Sequence, residues 1–462
     1  MSGDRVPLVV LGAGPAGVAA AVAAADAGVP VTLVDLGARA GGQYHRREPA
    51  PFTTARAGAL HHGLDRFSDD VERLTRAPGF RHVTGAGVWG VQRLADGAVR
   101  LATDRPELPL LEADAVVLAT GANERVVPFP GWDLPGVLTV GGAQALLKGQ
   151  GMRPGRAVVV AGAGPLLLPV AAALARVRTH LVAVTDANDP RAWLTGSPRG
   201  LRPATVKEGA AHLAALTRRG VRVRPRTAAI AAHGDGRVEE VVLARLARDW
   251  TPVPGSERTV PADALATSHG FVPDVGLAVG LGCTLDTTEA TAPAVAVDTL
   301  QATSVAGVWA AGELTGVGGA RVAAHEGTVA GLAAARTLGG TVDDTTLERA
   351  VARRRADAPF LRTLARVLTV GDGWTTWLTP DTLLCRCEEV TVGTVDTAIA
   401  RRDADDLRSI KLTTRCGMGH CQARMCAANV AGLLTARTGR PPADPGTLDR
   451  RPVAHPVRLG DL

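Results

Sequence analysis

The sequence predicts an α/β protein: two copies of a strand–turn–helix–strand unit, followed by a small cysteine-bearing unit. Three observations predict it. A short apolar run, a Gly-x-Gly-Pro turn, an Ala-rich helix and a second apolar run occur at residues 6–35, and the pattern recurs from Ala157 to Val184. Buried-type strands ending in glycine recur at Ala115–Gly121 and Val308–Gly312, as expected for the central strands of a parallel sheet. Five of the six cysteines fall between residues 385 and 426.

Composition narrows the class further. With 462 residues, 46% hydrophobic and 21% charged, the chain has room for roughly three domains with cores of their own. Six cysteines in this length exclude a disulfide scaffold, and the apolar content excludes disorder. The net charge of +6 and pI near 9.4 invite a nucleic-acid reading. Against it, all but three of the 51 basic residues are scattered arginines, and 3% aromatics leave no stacking platform. Two stretches, Pro7–Ala25 and Ala157–Ala175, approach the ~20 residues of a membrane span. Each is interrupted by its Gly-x-Gly-Pro turn, and Asp4 and Asp26 flank the first without a basic leader, so neither a membrane span nor a signal peptide is expected. With clustered thiols and no export signal, the expected compartment is the cytoplasm.

In chain order, Val6–Leu11 reads as a strand, Val18–Ala27 as a helix and Val31–Val34 as a second strand. Pro128, Pro130, Gly131, Pro135 and Gly136 mark a crossover loop into the second copy. Because the glycine-and-acid ending at Gly312-Glu313 lies far beyond that copy, the first domain is expected to be discontinuous: residues 1–125 plus 260–336, with the second domain at 126–259. Residues 337–380 read as an Arg-rich helical connector, with Arg353–Arg355 on a solvated face. Residues 381–438 read as the compact cysteine unit, and 439–462 as an extended Pro- and Arg-rich tail without a core.

The chemistry begins at Gly12-Ala13-Gly14-Pro15-Ala16-Gly17, which follows a strand and opens a helix, with Asp35 ending the next strand. Glycines permit the tight turn and close backbone approach, the helix N-terminus stabilises a pyrophosphate, and the acid accepts ribose hydroxyls. Gly41-Gly42-Gln43, Ala119-Thr120-Gly121 and Ala311-Gly312-Glu313 accompany it, a combination that favours FAD over NAD and resembles the two-dinucleotide-binding-domain flavoproteins, relatives of thioredoxin and disulfide reductases. In that family the last motif usually ends in an aspartate that bonds the ribityl chain; Glu313 is one methylene longer. The second copy, Gly162-Ala163-Gly164-Pro165, carries Leu167 where a third glycine would stand. Asp186 favours NAD(H) or another adenine nucleotide over NADP(H) there, and a vestigial unit that merely packs is the competing reading. No redox dithiol lies between Arg125 and Val260, so disulfide chemistry is absent, and the lone Cys283 reads as a core residue. His325 and Glu326 should fall near the flavin in structural roles, while Arg321 could face a pyrophosphate or solvent.

Cys385-Arg386-Cys387 and Cys421-Gln-Ala-Arg-Met-Cys426 form two thiolate pairs 33 residues apart. Such pairs suit a [2Fe–2S] cluster, one pair to each iron. Zinc is the lesser alternative, because its usual pairs are spaced by two to four residues. Cys416 is expected to be a neighbour rather than a ligand, and the Gly417-Met418-Gly419 amides could bond cluster sulfurs.

Cys385-Arg-Cys-Glu-Glu-Val-Thr391 and Thr414-Arg-Cys-Gly-Met-Gly-His-Cys421-Gln422 resemble the BFD-like (bacterioferritin-associated-ferredoxin-like) [2Fe–2S] domain. More narrowly, with Ala119–Val137 and Gly142–Lys148, they resemble the flavoprotein α subunits of multimeric amino-acid and opine dehydrogenases. That group includes hydroxyproline and proline dehydrogenases, octopine and nopaline oxidases, hydrogen cyanide synthase and heterotetrameric sarcosine oxidase. The family commonly has Ala at the place of Cys416 and Gln-Gly where this chain has Gln422-Ala423. The resemblance implies a pyridine nucleotide-disulfide oxidoreductase-like fold with a C-terminal BFD-like domain. It also implies two partners: the amine-oxidising flavoprotein β subunit, together with a small ferredoxin-like subunit.

The leading expectation is therefore a cytoplasmic FAD- and [2Fe–2S]-containing electron-transfer subunit of an amino-acid, imino-acid or opine dehydrogenase. A self-contained NAD(P)H-dependent flavin/iron–sulfur reductase is the alternative, and a non-enzymatic iron–sulfur docking scaffold the third reading. No acid–base catalytic residue stands out, and nothing in the residues identifies the substrate.

Overall fold

The computed structural model describes residues 4–48, 61, 63–193, 200, 202–287, 292–444, 446, 448, 450–451, 453–458 and 460. Its first sheet runs, edge to edge, Arg81–Thr84, Val31–Asp35, Asp4–Leu11, Leu110–Leu118, Val99–Thr103, Val88–Arg93, with Val308–Ala310 also paired to Leu110–Leu118. The pairs among 81–84, 31–35, 4–11, 110–118 and 308–310 are parallel, and 88–93, 99–103 and 110–118 form an antiparallel meander.

The segment Pro15–Asp26 is helical because alanine dominates it and proline sits at its first turn, where the missing N–H would be unpaired anyway. It packs against the long helix Ala320–Thr337 largely through alanines and glycines, with Ala23 set against Val329 and Leu332. A side chain at Gly327 would run into the Ala16 carbonyl, and one at Gly331 into the Ala20 carbonyl. That close approach joins segments about 300 residues apart in the chain.

A second sheet, Val223–Pro225, His180–Asp186, Ala157–Gly162, Ala264–Ser268, Val137–Thr139, is parallel throughout and carries a three-stranded antiparallel sheet formed by 227–233, 240–245 and 258–261. The strand Ala264–Ser268, expected in the first domain, hydrogen-bonds within this second sheet. The chain crosses back through an antiparallel ribbon in which Phe271–Pro273 pairs with Ala122–Glu124. We therefore propose that the inserted domain runs from one leg of this ribbon to the other, ending near residue 270 rather than 259.

The connector contains helices Asp344–Arg355 and Ala358–Val367. Its basic run is not wholly solvated, because Arg354 reaches the buried Glu326 at 3.0 Å while Arg353 and Arg355 stay exposed. The end of the connector and the cysteine unit share one apolar core with the residues around the second sheet: Val159, Ala161, Ala228 and Trp250 on one side meet Trp374, Leu384, Val430 and Leu434 on the other. Polar side chains fix the register of that contact. Trp132 Nε1 donates to the Leu383 carbonyl (2.7 Å), Asn429 Nδ2 to the Val126 carbonyl (2.8 Å), and Trp377 Nε1 to the Trp250 carbonyl (3.1 Å). Among the described residues of the tail, Leu448 and Ala454 are buried, and the Ala454 N–H donates to the Trp89 carbonyl (2.7 Å). Among the described residues no helix is long and apolar enough to cross a membrane.

The helix–helix contact gives a direct test. Gly331→Val forces a branched side chain into the Ala20 backbone and should cost about 3 kcal/mol, as overpacking of a tight core does. A lowered denaturant midpoint with unchanged slope is the expected readout.

Candidate functional site

At the first nucleotide loop the backbone is held open by three close approaches. Gly12 lies in the left-handed region (φ +100°) with its N–H on the Val34 carbonyl (2.7 Å), and a Cβ there would overlap the Ala119 carbonyl. Gly17 packs directly on the Gly12 carbonyl, so a side chain there is also excluded. Gly42 (φ +55°) faces Gly14, and a Cβ on it would stand 2.8 Å from the Gly14 Cα. Pro15 and Ala16 open the helix that follows. The Asp35 carboxylate accepts N–H groups from Ala13 (2.5 Å) and Gly37 (2.6 Å), so it stands at the loop and shapes it. Gln43 accepts a bond from Arg46 (2.7 Å). These features form a side-chain-free cradle at a helix N-terminus with an acid beside it, and the residues fit the diphosphate and ribose of FAD.

The other motif residues converge on the same edge. Ala119 donates its N–H to the Leu11 carbonyl (2.8 Å), Thr120 Oγ1 donates to the Asp274 carbonyl (2.8 Å), and Gly121 adopts φ +78°. Gly312 (φ +88°) donates to Glu326 Oε2 (2.9 Å), and Thr315 bonds the same oxygen (3.0 Å). Glu326 thus braces the turn from within the long helix, and burial raises its pKa despite the pairing with Arg354. Glu313 turns its carboxylate onto the amides of Gly318 (3.1 Å) and Gly319 (2.6 Å), and burial raises its pKa too. His325 bonds the fully buried Asp357 (2.7 Å), which also pairs with Arg202 of the second domain. Spacing alone did not mark Lys148, His45 or His61. Lys148 reaches the Tyr44 carbonyl (3.3 Å) just past the Gly41-Gly42-Gln43 turn, and burial lowers its pKa to about 8. Burial likewise lowers the pKa of His45 and of His61 to about 4. Nothing local in the sequence reveals this group, because Lys148 comes from the second domain.

In the C-terminal unit the five thiols gather. The sulfurs of Cys385, Cys416 and Cys426 lie within 4.8 Å of one another, all buried, while Cys387 and Cys421 adjoin each other at the more exposed end. Cys416, expected beside the ligands, stands inside the buried group. Fold contacts thus bring Cys385 close to Cys426, and Cys387 close to Cys421. Hydrogen bonds from Cys416 and Cys426 hold the Cys385 thiol down to about 2, and the pKa values of both donors rise beside that thiolate. The loop curls tightly enough to surround a small inorganic core. Gly417 is left-handed, Gly419 lies against Cys387 with no room for a Cβ, and Gln422 and Ala423 take φ of +52° and +65°. A left-handed alanine at 423 costs roughly 1–2 kcal/mol, a cost that the glycine usual at this place in the family motif avoids. Thiolates in this number, at two ends of one pocket, fit a [2Fe–2S] cluster.

The cluster loop is tied to the flavin motifs. Arg424, between Cys421 and Cys426, lies 3.5 Å from Asp274 and donates to the Cys421 carbonyl (3.3 Å) and to the Ala454 carbonyl. Asp274 is the residue whose carbonyl receives Thr120, and Asn123 contacts its carboxylate at 3.4 Å. In the second nucleotide loop, Gly162 (φ +141°) packs on the Ser268 carbonyl, Gly164 (φ +107°) faces Leu368, and Pro165 is exposed. Cys283 is a core thiol within 3.5 Å of Thr303 Oγ1.

Fold and site define an FAD-dependent oxidoreductase joined to a BFD-like [2Fe–2S] domain. Residues 6–327 match the pyridine nucleotide-disulphide oxidoreductase family, and residues 383–436 the BFD-like [2Fe-2S] binding domain. The chain is 34% identical to an opine oxidase subunit from Agrobacterium tumefaciens (strain Ach5), over 99% of this chain and 92% of that one. It is 31% identical to hydrogen cyanide synthase subunit HcnB of Pseudomonas aeruginosa, over 94% and 93% of the two chains. The chain belongs to this family of flavoprotein α subunits. In fold it is similar to L-proline dehydrogenase from P. horikoshii, with a TM-score of 0.67 and 20% identity over 100% of this chain and 80% of that one.

Two measurements test the site. We propose Cys385, Cys387, Cys421 and Cys426 as the ligands, so Cys416→Ser should retain iron and the cluster's EPR signal while Cys385→Ser loses both. His269, fully buried beside Arg125, accepts the Val127 N–H at Nδ1 (3.2 Å), and burial lowers its pKa to about 3. Its folded pKa lies below the unfolded ~6.5, so its contribution is complete above pH 6.5 and is lost as pH falls toward 3. His269→Gln, which can still accept that bond, should flatten the decline in melting temperature between pH 6.5 and 4.

Proposed function

We propose that this chain is the electron-transferring subunit of a heteromeric dehydrogenase acting on an amino acid, imino acid or opine, and that it receives electrons from an amine-oxidising flavoprotein partner. The observation that supports this reading most is the Arg424–Asp274–Thr120 connection, which links the cysteine loop to the Ala119-Thr120-Gly121 motif through two polar contacts. When bound, FAD supplies two-electron chemistry and a [2Fe–2S] cluster one-electron chemistry.

The chain's own contribution is position and environment. Gly12, Gly14 and Gly17 keep side chains out of the diphosphate cradle, and Asp35 holds the loop's amides. The shared apolar core excludes water around Cys385, Cys416 and Cys426, while Cys387 and Cys421 stay partly exposed at the outer end. Relatives named as subunits support a partner in general. Its identity, and the cytoplasm as compartment, belong to this reading, the latter because the clustered thiols need a reducing environment.

The test is to purify the full chain alone and with the products of its neighbouring genes. Alone it should carry flavin and iron yet oxidise no amino acid or opine with a dye acceptor. With its partner it should turn over, and Arg424→Ala in that complex should lower the rate without removing the cluster. Full substrate oxidation by the chain alone would overturn the reading.

A further inference from the structure

The second nucleotide loop has the outline of a site for NAD(H) or another adenine nucleotide, and its surroundings do not fit one. In such a unit the second glycine is bare so that the pyrophosphate can rest against the backbone. Gly164 holds that position, and its bare face is covered. A Cβ built on Gly164 would stand 2.7 Å from Leu368 Cδ2, and the same methyl lies 3.8 Å from the corresponding point on Gly270. The isobutyl group therefore sits over the loop, between the ends of the strands Ala157–Gly162 and Ala264–Ser268.

Leu368 is held there from several sides. It follows the connector helix Ala358–Val367 and packs against the cluster of Val322, Phe360 and Leu364. The preceding carbonyl, that of Val367, accepts from Asn188 Nδ2 at 2.5 Å, and Asn188 Oδ1 accepts from Trp250 Nε1 at 3.1 Å. Asp186, at the ribose position, bonds inward to the Asn188 N–H (3.0 Å) and is bonded by Gly164. Leu167, buried in place of the third glycine, fills the helix–strand contact. A diphosphate brought to this loop would meet a methyl group where it needs hydrogen-bond donors, or would have to drive Leu368 into water; both are unfavourable.

We infer that the second unit takes no dinucleotide, because the chain's own Leu368 occupies the place of the pyrophosphate. The unit instead serves as the platform on which the connector and the cysteine unit are seated. This stands independently of the electron-transfer reading, since a relay fed by a protein partner needs no nicotinamide.

The experiment uses the full chain loaded with FAD, so that the first site is filled, titrated with NAD+ or ADP by calorimetry. The wild-type chain should show no saturable binding up to about 1 mM, and Leu368→Ala should bind at least about tenfold more tightly. Asn188→Ala, which frees the connector while keeping the leucine, should shift binding in the same direction, and Leu368→Met should stay closed. Flavin and iron content report that each variant is folded. Micromolar binding to the wild-type chain overturns the inference. So does the absence of any gain in folded Leu368→Ala and Asn188→Ala.

Discussion

The cysteine unit has no separate core, and most of this protein's architecture depends on that. Its helices bury Val430, Leu433 and Leu434 in the same cluster as Val159, Ala161 and Leu243 of the second domain. Apolar burial supplies the non-directional part of the contact, and the Trp132, Trp377 and Asn429 hydrogen bonds to backbone carbonyls supply its register. Because these donors are buried, a slipped arrangement would leave them unpaired, so the thiol pocket is fixed relative to the ribbon at Ala122–Glu124 and Phe271–Pro273.

That placement gives the second domain a use that its ancestry as a nucleotide fold does not require. One face of its sheet carries the cysteine unit, and its nucleotide edge carries the connector, with Leu368 on Gly164 and Val367 bonded to Asn188. The first domain keeps its cradle open at Gly12, Gly14 and Gly42. The two copies of one motif thus diverge through what the rest of the chain lays across them.

Glycine spacing was readable because the strand–turn–helix motif itself is local, with Gly17 set against the Gly12 carbonyl one turn away, although the carbonyls that crowd Gly12 and Gly162 come from Ala119 and Ser268 on neighbouring strands. The four-cysteine pattern was readable as a cluster site for the same reason, since both segments are short and self-contained. Less was legible where partners come from distant segments. Cys416 joins the buried thiols because the Gly417–Gly419 loop folds back, the strand Ala264–Ser268 changes domain because its partners are 157–162 and 137–139, and Arg354 leaves the solvated face for Glu326. Lys148 and Tyr44 meet across distant segments, and no spacing rule relates them.

By itself, the sequence determined the α/β class, the two nucleotide-fold units, the FAD cradle and the iron–sulfur character of the last unit. Each of these was legible from motifs whose residues lie within a few tens of positions of one another. Only the tertiary structure decided which thiols adjoin, how Arg424 ties the cluster loop to Asp274, and that Leu368 covers the second loop. Those are contacts between distant chain segments, or between side chains whose direction is set by packing, and packing is a property of the assembled core.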